Sequence, residues 1–330
     1  ISCGRCEDVC PMSHTAEAEG PLETLAARDP GFLDRSSSGG IFPVLAGRMI
    51  GQGGSVYGSV LNPDLTVSHT CTSDIDGVER MRGSKYVQSE LYASFEDVKY
   101  ELEQGTKVMF TGTPCQVAGL KSYIGKDEDG LLLVDCACHG VPGPGLWEKY
   151  VKALSEKYGM QINDIRFRVN DRSWRKYDFV ISDAEKSVVT PHSKDPYMLL
   201  FLQDMTLRPS CYQCPFRNGG SGSDLTLADL WNVAEVAPEM DDDKGTSAVL
   251  VFSEQGRRHI EAEALTLRKM PQLDDAGNAG FNTKIFKPFN QDLLVDRMEG
   301  EDCIYRVLKS MTDATLYEKV VRRVKRIFKK

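Results

Sequence analysis

The chain contains ten cysteines, and their spacing is the strongest chemical signal in the sequence. A chain of 330 residues can bury a core large enough to fold without disulfides. No signal peptide and no bilayer-spanning apolar run is recognised, so we expect a cytoplasmic protein whose thiols serve metal or redox chemistry. The cysteines are Cys3, Cys6, Cys10, Cys71, Cys115, Cys136, Cys138, Cys211, Cys214 and Cys303.

Three of them form a run at the amino end, where two residues separate Cys3 from Cys6 and three separate Cys6 from Cys10. A proline follows Cys10, as in the bacterial ferredoxin run C-x2-C-x2-C-x3-C-P, of which this chain shows the last three cysteines. The run predicts 4Fe–4S ligands, and the complete motif needs one more cysteine directly before Ile1. The fourth cysteine of such a run ligates the other cluster in two-cluster ferredoxins. A zinc knuckle or free thiols are the alternatives.

Four further cysteines are predicted to converge. Cys115 and Cys138 lie in loops that directly follow predicted strands, and Cys211 and Cys214 form a C-x2-C pair. Ligands of an open parallel sheet collect outside the carboxyl ends of its strands. Four thiolates there suit a 4Fe–4S cluster or a zinc ion. The alternative for the two loop cysteines is a small buried side chain. That packing role is also expected of Cys71, Cys136 and Cys303.

Three segments offer groups that could hold an organic cofactor. Ser36–Gly40 precedes an apolar helix, and hydroxyls with backbone N–H groups at a helix amino end form an anion site. Arg82–Ser89 combines cations, an aromatic ring and polar side chains, which suits a flavin or its phosphates. Asp229 and Trp231 follow a predicted strand, where they could meet a cofactor ring. The alternatives are an ordinary helix cap, a solvated loop and a core tryptophan with a capping aspartate.

The elements that must position these residues alternate along the first half of the chain. Short apolar strands are predicted at 107–110 and 131–134, and helices at 116–124 and 146–158. Such alternation is typical of βαβ units with a parallel sheet. The second half has a mixed pattern, so the predicted fold class is α/β (α+β). Four units are expected: a truncated ferredoxin-like segment with a linker at 1–27, an α/β cofactor-binding region at 28–145, a second cofactor region at 146–290 and a helical basic tail at 291–330.

Charge is unevenly distributed along the chain. The formal net charge is −8, which argues against a nucleic-acid binder. Residues 316–330 nevertheless carry seven Lys or Arg and one Glu, with an apolar helical face. We expect a helix that docks on the acidic body of the protein, on a partner, or peripherally on an anionic membrane surface.

Taken in order, these segments resemble the beta-subunit family of coenzyme F420 (deazaflavin) hydrogenases and dehydrogenases. The resemblance runs from Ser36 to about Lys287. Two positions depart from the family pattern, because Ala228 stands where glycine is usual and Gly143 stands where serine is usual. The motifs that carry the resemblance are Ser37–Gly40, Gly83–Ser89, Gly112–Gln116, Cys138–Pro142, Cys211 with Cys214, and Asp229 with Trp231.

The resemblance implies FAD bound mainly by the region 28–145, and a 4Fe–4S cluster held by Cys115, Cys138, Cys211 and Cys214. It also implies an amino-terminal module with two clusters, which matches the cysteine run at the amino end. Lys85 is the expected catalytic residue, either favouring a reduced, anionic flavin or binding a phosphate. The implied cofactor-binding residues are Ser37, Ser38, Gly39, Gly40, Lys85, Tyr86, Gln88, Ser89, Gly112, Thr113, Asp229 and Trp231.

The function that follows is that of an iron–sulfur flavoprotein oxidoreductase. Electrons would pass between 4Fe–4S clusters and FAD, and the flavin would exchange a hydride with a deazaflavin or another organic partner. An electron-donor protein or ferredoxin is the expected protein partner. The alternatives are a zinc-stabilised binding or scaffold module with the same four thiolates, and an electron-transfer subunit without a substrate of its own.

Overall fold

The computed structural model describes residues 4–13, 20–261, 265–270, 285–299 and 303–312. The strands are β1 (Glu23–Arg28), β2 (Ser55–Leu61), β3 (Val67–Thr72), β4 (Val108–Gly112), β5 (Leu131–Cys136), β6 (Asp164–Val169), β7 (Asp178–Ser182), β8 (Ser187–Pro191), β9 (Leu225–Asp229), β10 (Ser247–Val251) and β11 (Thr266–Met270). The helices are α1 (Arg5–Asp8), α2 (Ile41–Gly51), α3 (Ile75–Met81), α4 (Ser94–Glu103), α5 (Pro114–Ile124), α6 (Pro144–Tyr158), α7 (Pro196–Leu202), α8 (Val233–Val236), α9 (Glu254–Glu261), α10 (Gln291–Glu299) and α11 (304–312). Short 3-10 turns lie at Leu33–Arg35, Pro209–Gln213 and Pro238–Met240.

Eight strands form one large sheet in the order β11-β1-β10-β9-β5-β4-β2-β3. Its four central strands, β9, β5, β4 and β2, pair in parallel. The flanking pairs are antiparallel. The predicted α/β class, with a parallel core and a mixed second half, is therefore confirmed. The large sheet contains β1, which ends at Arg28, together with strands from both sides of residue 145. The division of the chain into four units stays a prediction.

Apolar residues on both faces of the central strands explain why helices cover the sheet on two sides. On one face, Leu45 and Met49 of α2 pack in a core with Leu132 of β5. On the other face, Val98 of α4 and Leu120 of α5 pack with neighbouring residues of the same strands. Strands buried on both faces read as continuous apolar runs, which is the pattern of β5.

A second layer contains the antiparallel sheet β6-β7-β8 and the helices α6, α7, α10 and α11. Aromatic side chains dominate its core, with Trp147, Tyr150 and Tyr197 in mutual ring contact. The sequence predicts a helical segment over 292–311, and its described parts are helical at Gln291–Glu299 and at 304–312. Across the described ranges, every helix is too short or too polar to cross a membrane. The basic tail at 316–330 lies outside the described residues.

Candidate functional site

The carboxyl ends of β4 and β5 place the two loop cysteines at one edge of the sheet, as the strand pattern predicts. β4 ends at Gly112 and α5 begins at Pro114, so Cys115 lies in the first turn of that helix. β5 ends at Cys136, and the loop before α6 carries Cys138. Because β4 and β5 are parallel neighbours, both loops leave the sheet on the same side.

Cys115, Cys138, Cys211 and Cys214, which we call the cysteine cluster, lie within electrostatic range of one another. Burial raises the pKa of the Cys138 thiol, and the charges of other thiols, including Cys115 and Cys211, raise it further. Burial also raises the pKa of Cys214, again with contributions from Cys115 and Cys211. In the part of the chain that is described, no three Cys, His, Asp or Glu side chains are placed to hold a metal ion together.

Hydrogen bonds tie the loop of Cys138 to the loop of Cys211. Arg217 donates from Nη2 to the Cys138 carbonyl oxygen (2.7 Å). The Arg208 N–H donates to the Val141 carbonyl oxygen (3.0 Å), and the Arg208 carbonyl accepts from the Cys211 N–H (2.9 Å). The cluster thus combines four thiols on connected segments, a donor set that suits a 4Fe–4S cluster or zinc.

The cysteines of the amino-terminal run are only partly described. Cys10 is half-buried and follows α1. Cys6 lies in α1 with its side chain outside the described residues, and Cys3 lies outside them altogether. The ferredoxin-type ligands therefore stay a prediction.

The predicted anion loop, Ser37–Gly40, is held by hydrogen bonds from two sides. Ser37 Oγ accepts from the Ser84 N–H (2.9 Å), which joins this loop to the second predicted segment. On the other side, Ser38 Oγ donates to the Thr246 carbonyl oxygen (3.1 Å), directly before β10. Two of the three predicted cofactor segments are therefore in contact.

Both glycines of this loop are required by the fold. A Cβ on Gly39 would lie 2.4 Å from the Ala27 carbonyl oxygen and 2.7 Å from the Ser247 backbone nitrogen. Gly40 caps the start of α2 with φ +79°, a left-handed conformation that favours glycine. The two glycines thus have a structural cause, and their contact with a cofactor stays a prediction.

The predicted catalytic residue, Lys85, directs its ammonium group at the backbone after α3. Nζ donates to the carbonyl oxygens of Met81 (2.9 Å), Arg82 (3.1 Å) and Gly83 (3.1 Å). Burial lowers the pKa of Lys85 to about 8. An ammonium has three N–H donors, so this arrangement uses all of them to stabilise the carboxyl end of the helix. A catalytic role for Lys85 stays a prediction.

A hydrogen-bonded chain joins the second segment to the cysteine cluster. Gln116 Nε2 donates to Ser89 Oγ (3.0 Å), and Gln116 Oε1 accepts from the Thr113 N–H (2.9 Å). Thr113 Oγ1 in turn lies 3.2 Å from Cys115 Sγ. Ser89 and Thr113, both predicted to bind the cofactor, are therefore linked to a predicted metal ligand. A Cβ on the neighbouring Gly112 would crowd the Gln116 side chain at 3.0 Å.

Two residues that sequence reasoning missed hold the segment 85–89. Buried His69 donates from Nε2 to the Thr111 carbonyl oxygen (3.0 Å), so its Nδ1 accepts from Ser89 Oγ (2.9 Å). Burial lowers the pKa of His69 to about 4, which keeps the ring neutral. Arg208 donates from Nη1 to Gln88 Oε1 (2.7 Å). Nothing in the spacing of these residues marks them in the sequence.

Asp229 and Trp231 lie beside an arginine from the second layer. Arg168 on β6 donates from Nη1 to Asp229 Oδ2 (2.6 Å), and its side chain is only 3% exposed. Its guanidinium carbon lies 4.7 Å from the ring centre of Tyr177 and 5.4 Å from that of Trp231. We call this group the Arg168 pocket, and its members are Tyr86, Arg168, Trp174, Tyr177, Asp229 and Trp231.

Tyr86 and Trp174 connect the pocket to the other two segments. Trp174 Nε1 donates to the Ser37 carbonyl oxygen (3.0 Å), and its ring stacks on Trp231 with centroids 4.8 Å apart. Burial raises the pKa of Tyr86, and the charge of nearby Arg168 opposes that effect. All three predicted cofactor segments therefore meet at this pocket.

Sequence reasoning missed Arg168 for a physical reason. Ile165, Phe167 and Val169 alternate with polar residues along β6 and face the core. That alternation predicts Arg168 on a solvent face. In the structure, the loops that carry Ser37 and Trp231 cover that face. No local sequence pattern predicts that distant loops will bury it.

A family match covers just over half of the chain. Residues 105–272 match the family described as the C terminus of the coenzyme F420 hydrogenase/dehydrogenase beta subunit. The matched range contains the whole cysteine cluster, Arg168, Asp229 and Trp231. It begins after the segments Ser37–Gly40 and Lys85–Ser89.

A solved structure shares the fold. It is a chain of the xenon-derivatised, F420-reducing NiFe hydrogenase complex from Methanosarcina barkeri. The TM-score is 0.53 at 14% sequence identity, and the match covers 86% of this chain and 95% of that chain. At this identity the likeness concerns the fold alone. A search of curated protein sequences found no match.

Proposed function

We propose that this chain, which belongs to the coenzyme F420 hydrogenase/dehydrogenase beta-subunit family, is an iron–sulfur flavoprotein. The match confirms the predicted family and implies an oxidoreductase role in electron transfer. The proposed cofactors are FAD and one 4Fe–4S cluster, with further clusters in the amino-terminal module. The proposed activity is electron exchange between a donor protein, such as a ferredoxin, and a deazaflavin or another organic molecule.

The observation that carries this proposal is the hydrogen-bonded chain from Ser89 through Gln116 and Thr113 to Cys115. It places a predicted flavin segment and a predicted cluster ligand at the two ends of one short polar connection. The Thr113–Gln116 part of this connection is also the capping box that begins α5, so the part that supports the proposal is the contact of Gln116 with Ser89. That contact would hold the two proposed redox groups at a fixed separation.

The residues around the Arg168 pocket fit a flat cofactor with polar edges. Trp231 is stacked on Trp174 and is 37% exposed. Arg168 contributes buried donor atoms without a partner among the described residues. A bound flavin would supply the exchange of one or two electrons. The chain itself would orient the cofactor through Ser37, Tyr86 and Gln88.

The cysteine cluster would hold the iron. Thiolates are the usual ligands of a 4Fe–4S cluster, and hydrogen bonds to their sulfur atoms tune its potential. The Thr113 hydroxyl lies within hydrogen-bond distance of Cys115 Sγ, and Arg217 holds the backbone of Cys138. These two contacts would orient the ligands.

We also propose that the chain works with other protein subunits in the cytoplasm. The similar solved chain is part of a hydrogenase complex. Free thiols at so many positions require a reducing compartment.

The test is a reconstitution of the full chain with iron, sulfide and FAD under exclusion of oxygen. We expect bound FAD whose absorbance bleaches when reduced ferredoxin is added, followed by reduction of coenzyme F420. Gln116→Ala should slow the bleaching without changing the FAD or iron content, because it breaks the polar connection. Gln52→Ala is the matched control, since Gln52 contacts Lys107 on the exposed surface.

Protein that takes up iron and sulfide but binds no FAD would contradict the flavoprotein proposal. One zinc per chain, with no iron or sulfide, would favour the scaffold alternative instead.

A further inference from the structure

The Arg168 guanidinium has an edge that the protein does not use. Nη1 is bonded to Asp229, whereas Nε and Nη2 are buried and have no hydrogen-bond partner among the described residues. The Tyr86 hydroxyl lies close enough to interact with the guanidinium, so it is the protein group that would share this edge with a ligand. Most buried polar atoms in native proteins are hydrogen-bonded, so a pair of unbonded donors on one buried side chain calls for a ligand.

The two unbonded nitrogens form one recognition unit. In a guanidinium, Nε–H and the N–H of Nη2 point in the same direction, as the two prongs of a planar fork. A fork of this kind matches two oxygens of one phosphate or carboxylate. Asp229 already occupies Nη1, so it holds the fork in place without blocking it.

A second buried side chain, that of Asn170, also has an atom without a hydrogen-bond partner in the described ranges, and it contacts the same loops. Asn170 Nδ2 donates to the Ser36 carbonyl oxygen (2.9 Å), while its Oδ1 is buried and unbonded. Asn170 and Trp174 thus both reach the anion loop from the segment that follows β6. Arg168 and Asn170 are thus two buried side chains with unbonded polar atoms that lie near the meeting point of the three cofactor segments, which suits a polar ligand there.

We propose that Arg168 is a ligand-binding residue of this site, and that its Nε–Nη2 edge holds an oxyanion, a phosphate or carboxylate, of the molecule bound beside Trp231. The inference rests on the proposed function for the identity of that molecule. Two sources carry the required group: the phosphates of the flavin cofactor, and the acidic groups of the organic substrate.

The experiment measures the binding of three flavins to the iron-loaded protein and to its Arg168→Lys variant. FAD and FMN carry phosphate, whereas riboflavin has the same ring without it. Lysine keeps the positive charge beside Asp229 but cannot form the two-pronged contact. If the cofactor supplies the oxyanion, Arg168→Lys weakens the binding of FAD and FMN by roughly tenfold or more and leaves riboflavin binding unchanged.

A second arm tests the organic substrate. Flavin-loaded protein is titrated with coenzyme F420 and with its deazaflavin ring lacking the acidic groups. If the substrate supplies the oxyanion, FAD binding stays the same, and Arg168→Lys weakens only the binding of intact coenzyme F420. The proposal is overturned if the variant binds all five compounds as the wild type does, or if it loses affinity equally for compounds with and without the oxyanion.

Two further variants keep the result interpretable. Arg166→Lys lies on the same strand with an exposed side chain and should change none of these affinities. If Arg168→Lys does not fold, the pair Arg168→Gln with Asp229→Asn replaces it, because this pair leaves no buried carboxylate uncompensated. Wild-type protein that binds no flavin would refute the proposed function itself, whereas wild-type binding with no selective loss would refute only the role of Arg168.

Discussion

The cysteine cluster and the Arg168 pocket differ in how completely the protein builds them. The pocket is in place: its ion pair, stacked tryptophans and loop contacts are formed by the chain alone. The cluster instead consists of four thiols on connected segments at one edge of the sheet, and no three Cys, His, Asp or Glu side chains among the described residues are placed to hold a single metal ion. The contacts of the Arg168 pocket are thus formed by the chain alone, whereas the cysteine cluster would be completed by the metal centre that we propose for it.

The largest expected effect concerns the cysteine cluster, for which we propose a metal centre. Cys138→Ser should remove nearly all the iron that the cysteine cluster binds, because three thiols cannot complete a four-thiolate site. Iron and sulfide per chain are measured after reconstitution, in a background that also carries Cys10→Ser so that the amino-terminal run contributes less.

Cys303→Ser is the control for this experiment, since Cys303 is exposed and far from the cluster in sequence. An unchanged iron content in Cys138→Ser would mean that the cluster is held elsewhere, and the comparison between the two regions would lose its basis.

A smaller effect is expected when the preorganised pocket is damaged. Arg168→Leu leaves the buried Asp229 carboxylate without its guanidinium, which should lower the free energy of unfolding by about 3 kcal/mol. Urea unfolding of the protein without cofactors measures this loss.

The double variant Arg168→Leu with Asp229→Leu should recover most of that stability, because no buried charge is left uncompensated. A double variant as unstable as the single one would show that the pocket owes its order to packing rather than to the ion pair.

The smallest expected effect concerns His69, which contacts Ser89 at one end of the polar connection to Cys115. This effect on stability depends on pH. The pKa of His69 in the folded protein is lowered to about 4, below the unfolded value of about 6.5. The unfolded chain therefore binds a proton first as the pH falls. The stability contributed by neutral His69 is complete above about pH 6.5 and is lost between about pH 6.5 and 4.

The wild type should lose about 2 to 3 kcal/mol more than His69→Gln over this pH range, because glutamine does not titrate. Unfolding free energies at about pH 7 and pH 4.5 give the comparison. Parallel pH profiles for the two proteins would show that His69 is not held neutral in the fold.

The sequence predicted the parts of the molecule that depend on local pattern. The apolar run of β5 predicts a central strand, and the alternation of strands and helices predicts the parallel core. Cys115 and Cys138 were placed at one edge because parallel strands end on the same side. Metal ligands are also restricted to a few residue types at short spacings, so candidate ligands can be recognised in a single sequence.

The rest depended on contacts between distant residues. Arg168 reaches Asp229 across 61 positions, and Trp174 reaches Ser37 across 137. No spacing rule connects such pairs, and the alternation along β6 predicts that Arg168 is exposed, whereas its side chain is buried. The contacts of Lys85 are local by comparison, since its three carbonyl partners are Met81, Arg82 and Gly83, and its catalytic role stays a prediction.

The position of β1 has a consequence for how this protein could be divided. β1 lies between β10 and β11, so it is an interior strand of the large sheet although it comes from the amino-terminal part of the chain. A shortened chain that started after Arg28 would leave β11 without the strand it pairs with and would open an edge on β10. Any separation of the cysteine-rich amino end from the rest must therefore keep Leu22 and all of β1 with the large sheet.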